Sequence, residues 1–532
     1  MRQTDIQTEL MRLFDEADDA GHVVVWHDPD GEFAESVEGL DLPGVELLVE
    51  RENELFTLKR ALNEDLTGRR ILLYRPRERR LEGDWLADVE VRSTPFSADY
   101  ASIQLRELGA ADTPEMRSEL KARKRWFSKK TNVRKLLTLS DSFAVPQELE
   151  LTIMAVALGT EAADPVPVLV RYLSDAREQG GVEALAPLEA AGVEESFRAA
   201  VRAWTGFEGD VTDATALSQH VLLSAFSCTA PAGVLAGLER CFSPGNADLC
   251  HEVFRMWLAS DDRATLLDVC VEVEATCRLE DRLAEATLPE LLAMGIFPCV
   301  DAVILRRLFS AVCDPSANED VLAAVGVRRG LAWYDDLSCY YEGVTQAARM
   351  RRFWREHPEG LAALSAERVW AAYAEEWYQM DSWYRAFHQA FAGAIRSGEY
   401  ELDEDFRAAR AAMENLYKGW FLRTLSERWA KAAEAELASQ GYVSSVPRQQ
   451  DFFMSEVDGI ALSKRRAWVI ISDALRYEVA AELADVLERE TKGSTELTSA
   501  QATLPSITKC GMPALLPHGS FSLERGQAGG RT

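Results

Sequence analysis

Two short segments near the C-terminal end of the chain carry side chains suited to phosphoester chemistry. Asp473 stands two positions after an apolar run at residues 467–471, and hydroxyl groups follow at Thr503, Ser506 and Thr508. A carboxylate is a hard oxygen ligand for a divalent metal ion. A Thr or Ser hydroxyl becomes a nucleophile when a metal ion activates it. The pattern predicts a metal-activated hydroxyl nucleophile.

The same segments indicate which elements would position these side chains. Residues 468–471, Trp-Val-Ile-Ile, are continuously apolar, which is typical of a parallel strand buried on both faces. Leu475, Val479 and Leu483 recur every fourth position and predict a helix after the strand. Open α/β sheets bind ligands at the carboxyl ends of their strands, where Asp473 would lie. Asp473 has an alternative role as the cap of that helix.

Both segments resemble the start of the PglZ domain, a branch of the alkaline phosphatase superfamily. The resemblance is carried by Ile-Ser-Asp-Ala-Leu-Arg-Tyr at 471–477 and Thr-Leu-Pro-Ser-Ile-Thr-Lys at 503–509. It implies a hydrolase of the phosphatase or phosphodiesterase type, whose complete domain holds two divalent metal ions, zinc by preference. By the same resemblance, Asp473 and Thr508 are metal ligands and Thr508 is the nucleophile, with Thr503 as the alternative.

Other residues of this region have weaker assignments. Arg476 and Lys509 could neutralise phosphate charge, although each could equally be a solvated cation. Ser506 is expected to cap the second helix, which Pro513 should interrupt because proline lacks a backbone donor. The family's remaining Asp and His ligands lie downstream of this sequence, which offers only His518. We therefore expect a truncated, incomplete domain without phosphatase activity.

The order of regions along the chain resembles the PglZ family of BREX bacteriophage-defence systems. The fold class is mixed α and α/β, in three parts. Residues 1–105 form a small N-terminal α/β domain, 106–455 a long α-helical middle, and 456–532 the start of an alkaline-phosphatase-like α/β domain. The resemblance implies a cytoplasmic antiviral protein with other BREX proteins as partners. The alternative is a non-enzymatic scaffold that binds defence partners or DNA.

The N-terminal part predicts a sheet. Three short apolar runs at 23–26, 45–49 and 71–74 are rich in Val, Ile and Leu, as expected of buried strands. The sequence His-Asp-Pro-Asp-Gly-Glu at 27–32 has the composition of a cation-binding loop, but Asp-Pro-Asp-Gly also favours a turn. The turn is the preferred interpretation, since the twelve-residue ligand pattern of a calcium loop is missing.

Charge argues against a general affinity for nucleic acid. The chain has 58 Lys and Arg against 87 Asp and Glu, a formal charge of −29. The segment 117–135 is the exception, because it holds nine cations and the single acid Glu119. It predicts either a basic helix that docks on an acidic part of the same protein, or a nucleic-acid or partner contact with Trp126 and Phe127 for stacking. The contact residues would be Lys121, Arg123, Lys124, Arg125, Lys129 and Lys130.

Several other site classes have little support. No apolar run approaches the length of a membrane span, so no membrane contact is expected. The nine cysteines never form a C-x-x-C pair and are expected to be reduced core thiols, and Cys250-His251 alone does not make a zinc site. Aromatic residues between 369 and 391 follow one helical face, which predicts a helix–helix seam.

Overall fold

The fold is described from a computed structural model, which defines residues 3–15, 22–51, 53–63, 68–79, 82–96, 100–317, 319–397 and 402–522. The chain divides into two compact units. The first comprises 1–228 and 235–273, and the second comprises 229–234 and 274–532. The predicted boundaries near 105 and 455 stay predictions, and the last part of the predicted C-terminal domain, 523–532, lies outside the described residues.

A four-stranded parallel sheet forms the N-terminal part of the first unit, as the apolar runs predict. Its strands are β1 (His22–His27), β2 (Val45–Val49), β3 (Arg70–Arg75) and β4 (Thr94–Phe96), in the order β2-β3-β1-β4. Val24 pairs with Leu72 on one side and with Thr94 on the other. The mixed α and α/β class is thus confirmed for this part of the chain.

Alternation along the strands sends side chains to two separate cores. On one face Val24, Trp26 and Leu72 pack with α1 (Gln3–Asp15). On the other face Val23 and Ile71 pack with residues of α2 (Leu55–Leu62) and α3 (Ala87–Arg92). Successive strand residues point to opposite faces, so an unbroken apolar run indicates a sheet that is covered on both sides.

Buried ion pairs fill the carboxyl edge of this sheet. Arg75, at the end of β3, is completely buried and contacts Glu50, Asp84 and Glu90, with 2.7 Å between its Nη1 and Asp84 Oδ2. His27, at the end of β1, places Nε2 3.0 Å from Glu90 Oε2. Buried charges persist only when they are paired and hydrogen-bonded. The sequence did not predict this cluster, whose members lie far apart along the chain.

The segment after β1 is a turn, as the sequence favoured. Asp28 is buried and accepts hydrogen bonds from the backbone N–H groups of Glu32 (3.1 Å) and Phe33 (2.8 Å) and from the Tyr74 hydroxyl. Both oxygens of the Asp28 carboxylate therefore accept hydrogen bonds within the protein, as expected of a turn. Burial and the bond to Asp28 raise the pKa of Tyr74 well above its usual value.

Helices make up the rest of the first unit. The helices of this part are α4 (Tyr100–Glu107), α5 (Pro114–Ala122), α6 (Lys124–Phe127), α7 (Lys130–Leu139), α8 (Pro146–Leu158), α9 (Pro165–Gln179), α10 (Gly181–Ala191), α11 (Glu194–Thr205), α12 (Ala214–Phe226) and α13 (Ala247–Leu258). Four of them, α5, α8, α9 and α12, begin at a proline or after an Asp or Thr cap, as Asp164 shows by accepting from the N–H of Val166 at 3.0 Å. A further helix, α14 (Arg263–Cys277), continues into the second unit.

The second unit is helical where the sequence predicts helices. It contains α15 (Leu279–Leu283), α16 (Leu288–Ala293), α17 (Pro298–Cys313), α18 (Val321–Arg328), α19 (Ser338–Glu356), α20 (Ala366–Ala372), α21 (Tyr378–Ser397), α22 (Asp403–Glu414), α23 (Arg423–Gln440), α24 (Asp458–Leu462), α25 (Tyr477–Glu490) and α26 (Thr508–Ala514). Single π-helical stretches occur at Tyr373–Trp377, Asn415–Leu422 and Phe453–Val457. Among the helices described here, none combines the length and apolar content needed to cross a bilayer.

The aromatic stretch around α21 is a helix–helix seam, as its spacing predicts. Trp377 and Phe387 are buried, and the ring of Tyr384 stacks on Tyr417 with centroids 3.8 Å apart. Phe387 meets Phe406 edge to face at 5.4 Å. Such contacts add to the burial energy of aromatic cores. The seam therefore stabilises the second unit and does not offer exposed rings for stacking.

All nine cysteines are free thiols. Five of them are buried, and burial raises the pKa of Cys250 to about 12. A protonated buried thiol is inert toward oxidation and metals. Cys228 is exposed, so the expectation of core thiols holds for the majority and not for every residue.

Candidate active site around Asp473 and Thr508

The run before Asp473 does not form the predicted strand. Residues 465–472 have no regular secondary structure, and Trp468 and Ile470 are 86% and 92% exposed. A strand is stabilised by ladder hydrogen bonds and by neighbours on its faces. No described residue pairs with this run, so its apolar side chains face solvent. The prediction of a buried parallel strand is wrong for the structure described.

The structure nevertheless brings together the two residues that the motifs single out. Thr508 Oγ1 lies 3.3 Å from Asp473 Oδ1 and 3.4 Å from Oδ2, and both side chains are exposed. Thr508 is the first residue of α26, and the backbone of Ile507 before it is extended. The hydroxyl donates to the carboxylate, which orients it. In this arrangement the Thr508 hydroxyl oxygen and the Asp473 carboxylate can both contact the same group of a substrate.

Asp473 does not cap a helix. The N-cap of α25 is Arg476, and Asp473 stands in the loop before it. The next residue, Ala474, has φ of 58°, in the left-handed region that a Cβ makes unfavourable. Unfavourable backbone of this kind concentrates at functional sites. Asp473 therefore lies in the loop directly before a strained residue and does not act as a helix cap.

Arg476 is tied to buried carboxylates. Its Nη2 donates to Asp381 Oδ1 at 3.1 Å, and its Nε lies 2.9 Å from Glu478 Oε1. Asp381 and Glu478 are only 3% and 1% exposed, whereas the Arg476 side chain is 58% exposed. A buried carboxylate without a cation is strongly destabilising. The contacts therefore indicate that Arg476 fixes the end of the loop against α21.

Two tyrosines complete the network around Asp381. The Tyr373 hydroxyl donates to Asp381 Oδ2 at 2.7 Å, and the Tyr417 hydroxyl donates to Oδ1. Burial, together with these bonds to a carboxylate, raises the pKa of both tyrosines well above the usual value. Both hydroxyls therefore remain donors at any physiological pH. Sequence reasoning missed this network because Asp381 and Arg476 lie 95 positions apart.

An aromatic cleft of about 550 Å³ opens beside the loop. Leu475 and Tyr477 contribute one wall, and Trp370 and Trp429 contribute another, with ring centroids 5.7 Å apart. The Trp370 indole N–H donates to Ser499 Oγ at 2.8 Å. Because Leu475 is two residues from Asp473, their Cα atoms are at most about 7 Å apart. The loop that carries Asp473 therefore contributes to the cleft through Leu475, while Asp473 and Thr508 themselves are not among its lining residues.

The remaining predicted residues form no hydrogen bond with Asp473 or Thr508 in the part of the chain that the structure describes. The backbone N–H of Thr503 donates to Gln449 Oε1 at 3.1 Å, and its hydroxyl has no described contact with Asp473. Ile507 is the N-cap of α26 in place of Ser506, so the prediction for Ser506 is wrong. Lys509 is exposed and forms no ion pair with a described residue. His518 Nδ1 lies 2.7 Å from the carbonyl oxygen of Leu516, so this ring nitrogen has a partner within its own segment.

Pro513 does not interrupt α26 as expected. The helix runs through it from Thr508 to Ala514 before it ends. Pro513 is the sixth of seven helical residues, and as a proline it has no N–H to donate to the Lys509 carbonyl. The helix ends one residue after it.

The donor set around Asp473 is incomplete for a metal ion. Within the described parts of the chain, no group of three or more His, Cys, Asp or Glu side chains is placed to hold one. Asp473 and Thr508 supply two hard oxygen donors. A catalytic zinc ion takes three protein ligands and keeps an open position. The chemistry of the pair suits a divalent ion, but the pair does not by itself form a site.

The basic segment separates into two sets. Lys121 and Lys124 face acids of the turn after β1, with Lys121 Nζ 3.0 Å from Asp30 Oδ2. Arg123 is buried, contacts Glu119, and lies 2.9 Å from Glu150 Oε1. These three residues behave as expected of a basic helix that docks on acids of the same protein.

The second set faces solvent. Arg125, Lys129 and Lys130 are exposed and form no ion pair with any residue that the structure describes. Trp126 and Phe127 are 8% and 3% exposed and pack on each other edge to face. The prediction that these two rings stack on bases is therefore wrong, because their faces are used inside the protein.

Comparison with known proteins agrees with the motifs. Residues 452–528 match the model of a family described as the BREX system PglZ alkaline phosphatase-like domain. The predicted resemblance to that family is confirmed. No solved structure matches the chain.

Two curated proteins are similar along most of the chain. Alkaline phosphatase-like protein PglZ of Bacillus cereus (strain H3081.97) is 27% identical over 516 residues, which cover 94% of this chain and 58% of that protein. Alkaline phosphatase-like protein BrxZ of Escherichia coli O9:H4 (strain HS) is 28% identical over 518 residues, which cover 93% and 59%. This chain spans less than two thirds of the length of either relative.

Proposed function

We propose that this chain belongs to a BREX-type bacteriophage-defence system and contributes part of a metal-dependent phosphoester hydrolase site. In this proposal Asp473 is a metal ligand, and Thr508 is both a ligand and the nucleophile. The protein would act in the cytoplasm with other BREX proteins. The observation that carries the proposal is the 3.3 Å contact between Thr508 Oγ1 and Asp473 Oδ1, which joins the two matched motifs.

The chain's own residues have distinct tasks in this site. Asp473 accepts the hydrogen bond that orients the Thr508 hydroxyl toward substrate. The ion pair of Arg476 with Asp381 holds the loop that carries Asp473. The cleft beside Leu475 would take an apolar or aromatic part of the ester. When bound, a divalent ion such as Zn²⁺ would lower the pKa of the hydroxyl.

Two donors do not complete a metal site, so we expect the 532-residue chain alone to hydrolyse no phosphoester. The experiment is an assay of the purified chain with an aryl phosphomonoester and an aryl phosphodiester, with and without Zn²⁺. Metal-dependent turnover that Thr508→Ala abolishes would contradict this expectation. If Thr503→Ala abolished turnover and Thr508→Ala did not, the nucleophile assignment would be wrong as well.

A scaffold that binds defence partners or DNA is the second candidate, and the unpaired cations Arg125, Lys129 and Lys130 favour it. Phage resistance of cells that carry the complete defence system separates the two proposals. A hydrolase requires Asp473 and Thr508, so Asp473→Ala and Thr508→Ala should abolish resistance, whereas Thr503→Ala should retain it. A scaffold predicts that Asp473→Ala keeps resistance and that charge reversal of the exposed Arg125, Lys129 and Lys130 abolishes it.

A further inference from the structure

The unpaired cations of the basic segment are confined to its second half. Exposed positive side chains without an ion pair to any described residue occur from position 125 onward. The chain has a net charge of −29, so carboxylates are abundant. Lys121 forms an ion pair with one of them, Asp30, at 3.0 Å. Lys130 also stands at the start of α7, where the helix dipole disfavours a cation. The five side chains are Arg125, Lys129, Lys130, Arg134 and Lys135.

Two of these cations line a cleft of about 580 Å³ in the first unit. Lys130, Thr131 and Arg134 all contribute to its wall from α7. At about 100° per residue, these positions fall within an arc of about 100° on one side of the helix. Val133, Leu137 and Thr138 of α7 line the cleft as well, and Leu136 is buried on the opposite side of the helix. The helix therefore presents two cations and a hydroxyl to the same space.

The other wall of the cleft supplies acceptors. Gln104 and Glu107 of α4 line it, and Gln104 Nε2 donates to Glu107 Oε2 at 3.0 Å. This bond fixes the orientation of the amide, because only its nitrogen can donate to a carboxylate. Gln104 is 2% exposed, and its Oε1 accepts no hydrogen bond from any residue that the structure describes. Buried acceptors without a donor are uncommon in folded proteins.

We propose that this cleft binds a ribose phosphate. The phosphate oxygens accept from the Arg134 guanidinium, the Lys130 ammonium and the Thr131 hydroxyl, a donor set that matches phosphate. The ribose hydroxyls donate to the Glu107 carboxylate, which lines the cleft and is held by Gln104 Nε2. Cations on one wall and acceptors on the other suit a ligand with an anionic end and a hydroxyl-bearing end.

Ribose phosphate reaches a protein either as a free nucleotide or within an RNA strand. Both present a phosphate and a ribose 2′-hydroxyl, and DNA lacks that hydroxyl. All residues of the cleft belong to the first unit, so the inference does not rest on Asp473 or Thr508. A ligand without the hydroxyl, or without the phosphate, should bind more weakly.

The test is isothermal titration of the full 532-residue chain with ribose 5-phosphate, a short RNA oligonucleotide and the DNA oligonucleotide of the same sequence. Arg134→Gln should weaken ribose 5-phosphate about 10- to 100-fold, since it removes a charge-assisted contact. Lys121→Gln is the matched control, because it removes one positive charge from the same segment and lies outside the cleft. It should leave affinity unchanged. Glu107→Gln should reduce the preference for ribose 5-phosphate over inorganic phosphate.

The possible results distinguish the two ligand sources, a free nucleotide and an RNA strand, and show when the proposal is wrong. Binding of ribose 5-phosphate without RNA indicates a free nucleotide, and binding of RNA in preference to DNA indicates a strand. Equal affinity for RNA and DNA, weakened alike by Lys121→Gln and Arg134→Gln, would overturn the proposal in favour of unspecific charge attraction. Absence of binding by both ribose 5-phosphate and RNA would also overturn it. Circular dichroism of each variant confirms that Arg134→Gln, a surface change, leaves the fold intact.

Discussion

Two apolar runs of similar composition differ in structure: one forms a buried strand and the other is exposed and irregular. Val-Val-Val-Trp at 23–26 lies in β1, an interior strand, where Val24, Val25 and Trp26 are completely buried. Trp-Val-Ile-Ile at 468–471 forms no strand with any described residue and leaves its side chains in solvent. The first run has β3 and β4 beside it and helices on both faces. No strand within the described ranges pairs with the second run, and its side chains are exposed.

The comparison shows that an apolar run specifies a strand only together with its surroundings. The tendency of Val, Ile and Trp to occupy strands reflects packing against neighbours more than an intrinsic backbone preference. Trp26 meets Tyr74 and Phe96 with ring centroids 5.3 and 5.4 Å away. Trp468 has no such partner among the described residues. The two runs can therefore be tested as a matched pair.

Amide hydrogen exchange should reveal the largest difference between the two runs. The amides of residues 23–26 open only with the sheet, so we expect exchange at least about a thousandfold slower than in an unfolded peptide. The amides of residues 468–471 have no ladder and should exchange with almost no protection. Mass spectrometry of peptides from both regions measures this contrast. Equal protection of the two runs would mean that 468–471 pairs with a strand in solution.

The sequence predicted the first region well because its signals are local. Three of the four strands were anticipated, and β2 begins and ends where its apolar run does. The fourth strand, β4, was not predicted because it has only three residues and contains Pro95, and proline argues against a strand. The buried charges around Arg75 could not be foreseen either. Their contacts depend on a sheet edge that only the fold creates.

The roles predicted for Asp473 and Thr508 stay predictions, and the strand predicted to position Asp473 is not found. The motifs named Asp473 and Thr508, and the structure brings their side chains together. The strand expected to carry Asp473 did not form, and the loop is held through Arg476 and Asp381 instead. A resemblance between motifs transfers residue types along the chain. It does not transfer contacts to Asp381, which lies outside the matched segment.

Matched isoleucine truncations should give the next largest difference. Ile71 is completely buried between the sheet and its helices, so Ile71→Ala should cost about 2 to 5 kcal/mol of unfolding free energy. Ile470 is 92% exposed, so Ile470→Ala should change stability by less than about 0.5 kcal/mol. Urea titration followed by circular dichroism measures both. A cost above about 2 kcal/mol for Ile470→Ala would show that this run is buried in solution.

A smaller difference in stability is expected between a glycine substitution in the strained loop and one in a regular helix. Ala474 has φ of 58°, where a Cβ costs about 1 to 2 kcal/mol. Glycine removes that cost but loses about 0.5 to 1 kcal/mol of chain entropy on folding. Ala474→Gly should therefore leave stability unchanged or raise it by up to about 1.5 kcal/mol. The control Ala435→Gly, at an exposed position inside α23, should lower stability by about 1 kcal/mol. If both variants lost about 1 kcal/mol, Ala474 would not be strained in solution. The loop would then hold Asp473 by its contacts alone.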